Sequence, residues 1–64
     1  MGQNQQIIRK YWVSSKIMTI QVNVDQNNVI VFIAPVARRF IGQPIMNLVG
    51  WLRKSGAAAI KPLE

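Results

Sequence analysis

The chain has 64 residues, half of them hydrophobic, with eight Lys and Arg against two acidic residues and a net charge of +6. That length allows one domain, residues 1–64, whose core is only marginally sufficient by itself. With no Cys or His, and with Asp25 and Glu64 as the only carboxylates, disulfides are excluded and neither a metal site nor a cofactor is expected. The same shortage argues against an enzyme, because proton transfer and nucleophilic catalysis need titratable or activatable groups. Ser14 and Ser15 have no base to activate them except lysines and read as turn residues.

Residues 1–6 are polar and without periodicity, so a loose start is expected, as it is for residues 61–64. Ile7 to Val13, rich in β-branched and aromatic residues, predicts a short strand closed by a turn at Ser14-Ser15. From Lys16 to Val24, Met18, Ile20, Val22 and Val24 alternate with Thr19, Gln21 and Asn23, the period-two pattern of a half-buried strand. Asp25-Gln26-Asn27-Asn28 tolerates turn conformations and predicts a hairpin, from which Val29 to Ala34 returns as a third strand stopped by Pro35. With a loop of two or four residues, Val29, Val31 and Ile33 share the core face with Val24, Val22 and Ile20. Ile30 and Phe32 then turn outward. A three-residue loop would swap the faces of this strand. Two large apolar side chains beside Asn23 and Gln21 would make Ile30 and Phe32 the expected partner or oligomer interface.

Val36 to Ile41 has room for a turn or two of helix ended by Gly42, and Pro44 suits the start of a new helix running to Lys54. In that helix Ile45, Leu48, Val49 and Leu52 form one apolar face. Trp51 lies on its flank and is expected to be partly buried. Gly50 is on the polar side, where glycine costs helix propensity and so hints at the close approach of another surface. Ala57 to Ile60 reads as a short edge strand or an extended segment, the latter favoured because Pro62 blocks further regularity. The fold class expected is therefore α+β: a three-stranded antiparallel meander, a short helical turn and one amphipathic helix packed on the sheet.

A calculated isoelectric point near 11.1 favours an anionic partner: nucleic acid, an acidic protein or an acidic lipid surface. Arg38, Arg39, Arg53 and Lys54 flank the main helix and are the expected nucleic-acid contacts. Lys10 and Trp51 are possible helpers, and Tyr11 and Trp12 could also stack on bases. The longest apolar run, Val29 to Ala37, is far short of the roughly 20 residues of a membrane-spanning helix. The N-terminus lacks the basic start and apolar core of a signal peptide, so an intracellular location is expected. A mean hydropathy of +0.15 is high for a small soluble monomer and suggests a homo-oligomer.

The string Lys16 to Asp25, followed by Ala34-Pro35, Arg38-Arg39-Phe40, Gly42-Gln43-Pro44 and Trp51-Leu52-Arg53, resembles a group of small uncharacterised phage and prophage proteins. The same Ala-Pro, Arg-Arg-Phe, Gly-Gln-Pro and Trp-containing helix recur there in this order. This resemblance covers Lys16 to Gly56 and implies a mobile-element setting in a host cytoplasm, without implying an activity. Two local similarities point to nucleic acid. Val36 to Gly42 with Trp51 to Lys54 is similar to the helix-turn-helix of excisionase-like proteins, although here strands precede it. Phe40 to Val49 resembles the loop and first helix of Alba chromatin proteins, although this chain is shorter and its strands are ordered differently. The leading expectation is a small basic nucleic-acid-binding accessory protein of a phage or mobile element. The alternative is a phage-encoded factor that binds and inhibits an acidic host protein through Ile30 and Phe32.

Overall fold

The computed structural model describes residues 7–63, so the loose start expected at 1–6 and Glu64 at the end lie outside the described residues. The elements in order are β1 (Arg9–Ser14), β2 (Thr19–Val24), β3 (Ile30–Ala34), a 3-10 turn η1 (Arg38–Phe40), α1 (Ile45–Arg53) and β4 (Ala59–Pro62). The class is α+β, as expected, but the sheet has four strands, not three. All pairings are antiparallel in the order β3-β2-β1-β4. The tail returns along β1, with Ala59 opposite Ser14 and Pro62 opposite Tyr11. Pro62 does not prevent this, because it ends a strand at the sheet margin, where a missing amide donor is tolerated. Lys61 and Pro62, expected in loose chain, thus belong to β4.

The alternation of β2 is realised without exception: Ile20, Val22 and Val24 are fully buried, and Met18 packs against them. The β1–β2 turn is closed by Ser15 N–H donating to the Met18 carbonyl at 2.8 Å. Val13 of β1, Ile33 of β3, Ile45, Leu48, Val49 and Leu52 of α1 and Phe40 of η1 complete one core on a single face of the sheet. Pro44 is the extended residue before α1, one position from the expected start.

The β2–β3 hairpin corrects one expectation. Asp25 N–H donates to the Val29 carbonyl at 3.0 Å, enclosing a three-residue loop, Gln26-Asn27-Asn28. Asn28 takes a left-handed conformation with φ 63°, and Asp25 Oδ1 accepts the Asn27 and Val29 amides at 2.8 and 3.0 Å. A loop of this length brings Ile30 opposite Val24 and into the core, where it is 1% exposed. A bulge follows. The register shifts between Asn23 and Val24, Val31 is the unpaired extra residue, and Phe32 and Ile33 face Asn23 and Val22. Two single-residue slips therefore cancel: Ile33 and Phe32 keep the expected faces, whereas Ile30 turns into the core and Val31, expected there, is exposed. Ile30 is a core residue and not part of an exposed interface.

The free edge of β3 is partly covered by the chain that leads into the helix. Ile30 N–H donates to the Gln43 carbonyl at 2.9 Å, and Gly42 N–H to the Ile30 carbonyl at 2.8 Å. Gly42 does so at φ 89°, a conformation a side chain would strain. The Asn28 carbonyl then accepts the Ile45 amide at 2.9 Å, satisfying one of the donors that a helix start leaves unpaired. The β2–β3 turn thereby anchors α1, and with it the surface described next.

Candidate nucleic-acid interface

Ala37 precedes η1 in a left-handed conformation, φ 70° and ψ 33°, which costs a residue bearing a Cβ about 1–2 kcal/mol. That backbone turn sets the direction in which Arg38 and Arg39 leave the end of β3. The fold holds Arg39 closely. Its guanidinium carbon lies 4.9 Å from the centroid of the Phe40 ring and 4.9 Å from that of Trp51. The two rings stand 5.4 Å apart at 43° to one another. Phe40 is buried and Trp51 half-buried, so the arginine covers aromatic surface that would otherwise meet water.

Hydrogen bonds fix the same corner. Gln43 Nε2 donates to the Arg39 carbonyl at 3.0 Å, and Asn47 Nδ2 donates to Gln43 Oε1 at 3.1 Å. This relay ties η1 to the first turn of α1. Phe40, Gln43, Met46, Asn47, Gly50, Trp51 and Lys54 line a shallow open hollow along the outer flank of the helix. A guanidinium resting over aromatic rings keeps N–H donors available, in the fork geometry that matches phosphate. The one carboxylate among the described residues, Asp25, is engaged at the hairpin turn.

Of the six residues expected to contact nucleic acid, Arg38, Arg39, Trp51 and Lys54 belong to this corner. Arg38 shares the 3-10 turn with Arg39 but points about 120° away from it. Arg53 is elsewhere: two residues from Trp51 on a helix, it projects from the opposite flank of α1. Lys10 lies on β1 with the parity of Trp12, the reverse of core residue Val13, and so occupies the other face of the sheet. Gln43 and Asn47 were not expected to matter. Their i, i+4 spacing across the start of the helix was the available signal, but nothing in the sequence ties Gln43 to the Arg39 carbonyl.

Gly50 is exposed in mid-helix, and a Cβ built on it meets nothing within 4 Å. No other part of the described chain requires a glycine there. Gly50→Ala is expected to stabilise the fold by about 1 kcal/mol, visible as a melting temperature higher by roughly 4–8 °C. A loss of stability on thermal denaturation would mean that the helix is not seated as described.

Among the described residues no three His, Cys, Asp or Glu side chains come together to hold a metal ion, and no helix is long and apolar enough to cross a membrane. Compared with models of protein families, with curated proteins and with solved structures, the chain matches none.

Proposed function

We propose that this chain is a small basic nucleic-acid-binding protein, accessory to a phage or mobile element, that grips the phosphate backbone at the corner formed by η1 and the outer flank of α1. The observation that carries this reading is the position of the Arg39 guanidinium over the adjoining rings of Phe40 and Trp51, 4.9 Å from each centroid, which holds a cation at the surface before any ligand arrives. Preorganisation lowers the entropy lost on binding. Arg38 and Lys54 supply further phosphate contacts, and Asn47 and Gln43 add amide groups beside them. The net charge of +6 supplies long-range attraction to a polyanion. The mobile-element setting rests on the Ala-Pro, Arg-Arg-Phe, Gly-Gln-Pro and Trp-Leu-Arg pattern alone.

Burial of Ile30 weakens the rival reading, inhibition of an acidic host protein, because only Phe32 of the expected apolar pair remains exposed. Fluorescence anisotropy of labelled oligonucleotides separates the two. The proposal expects micromolar binding at about 50 mM salt and a loss of at least about tenfold at 200 mM, as counterions compete for the phosphates. Absence of binding at both concentrations overturns it.

A further inference from the structure

The face of the sheet opposite α1 has no cover among the described residues, and it is organised. Register places Lys10, Asn23 and Phe32 in one row across β1, β2 and β3, and Lys61, Trp12 and Gln21 in the next row across β4, β1 and β2. Trp12 is 42% and Phe32 45% exposed, although both sit within paired strands. The rings are two strands apart and offset by two residues, which puts them about 12 Å from one another. The bulge at Val31 is what allows Phe32 to face outward here while Ile30 and Ile33 both face the core. Neither row contains a carboxylate.

We infer that this face binds single-stranded nucleic acid, with Trp12 and Phe32 each stacking on an unpaired base and Lys10 and Lys61, both beside Trp12, neutralising adjacent phosphates. The inference rests on the nucleic-acid reading above and narrows it to one class of ligand. Three features select that class. The lysine that begins each of the two rows suits a polyanion and disfavours a second copy of this basic chain. Rings standing out from a four-stranded sheet cannot reach bases stacked inside a duplex, whose major groove admits a helix or a two-stranded ribbon. They can stack on the bases of an open strand without regard to sequence. Continuity with the arginine corner gives the strand a path: η1 packs on β3, the margin from which Phe32 projects, so a strand can pass from Arg38 around that edge onto the open face.

The test compares wild type, the double variant W12A/F32A and the double variant W12L/F32L, using a labelled 12-nucleotide oligothymidine and a duplex of equal length at about 50 mM salt. Both variants leave the core intact, and melting curves like that of the wild type would verify this. The expected result is tighter binding of the single strand than of the duplex, and loss of single-strand affinity in both variants. The loss should be about fivefold to a hundredfold for each ring removed. Leucine does not rescue, because it restores apolar area without a π-face. Wild-type binding with unchanged affinity in both variants would overturn this inference and leave the arginine corner standing. No binding of either oligonucleotide by wild type would overturn both. Rescue by leucine, or a dimer in sedimentation that dissociates in W12A/F32A, would assign the face to protein contact and overturn the inference.

Discussion

Reversing the charge of Arg38 and Lys54 together is expected to lower affinity for a single-stranded oligonucleotide about a hundredfold at 100 mM salt, and to reduce the slope of log affinity against log salt by about 2. Each side chain is exposed and holds no core contact, so the effect should appear in binding and not in the melting curve. The informative comparison is Lys54→Glu with Arg53→Glu. These neighbours close the same helix, lose the same favourable interaction with its negative end and change the net charge by the same amount. They differ in direction: Lys54 lines the hollow beside Trp51, and Arg53 projects from the opposite flank. At 100 mM salt, charge is screened over about 10 Å, so Lys54→Glu should weaken binding about tenfold and Arg53→Glu by much less. Equal losses from the two would mean that the chain binds as a diffuse polyelectrolyte without a defined corner.

The second large effect concerns stability. Ile30→Ala is expected to destabilise the fold by about 2–5 kcal/mol, because it deletes a fully buried side chain from a core that cannot collapse freely around the gap. A domain of this size is stable by only roughly 3–10 kcal/mol in total, so the variant should be largely unfolded near 37 °C. Phe32→Ala, two residues away and larger by volume removed, should change stability by less than about 1 kcal/mol, because its ring already faces solvent. Urea titrations give both values. The opposite ranking would contradict the three-residue loop and the bulge together.

That pair also locates the limit of what the sequence disclosed. The faces of β2 were readable because every second residue from Met18 to Val24 is apolar, and the helix was readable from Ile45, Leu48, Val49 and Leu52. In β3 every residue from Val29 to Ile33 is large and apolar, so alternation carries no information and the face of Ile30 depends on loop length. The four polar residues Asp25 to Asn28 fit several loop lengths. It took the left-handed Asn28 and the Asp25 side chain, which caps two amides, to settle on three. The compensating bulge has no sequence mark at all, since Val31 is as suited to a regular strand as to an irregular one. For the tail, the structure takes the edge strand, the less favoured of the two alternatives, for another reason. Ala57 to Ile60 has too little periodicity to declare a strand, and β4 forms because β1 offers it an open edge.

The candidate site was legible in its residues more than in its arrangement. The flank position of Trp51 follows from 100° per residue, and the structure leaves it half-buried as that angle implies. The same angle puts Arg53 about 200° from Trp51, on the opposite flank of α1. The position of Arg39 over two rings could not be read, because it requires knowing that η1 folds back beside a tryptophan 12 positions further along the chain. The sheet-face pair was half visible: Trp12 alternates with Val13 in β1, but its companion Phe32 depends on the bulge.

The two tryptophans report on binding at different surfaces, because their indole N–H signals separate in a proton–nitrogen NMR spectrum. On titration with a short single-stranded oligonucleotide at about 50 mM salt, the Trp51 indole is expected to shift progressively and saturably together with the Arg38, Arg39 and Lys54 amides. These shifts should recede as salt is raised to about 200 mM. An oligonucleotide that binds while the Trp51 indole and those amides stay unmoved, or that leaves the whole spectrum unchanged, would contradict binding at the arginine corner.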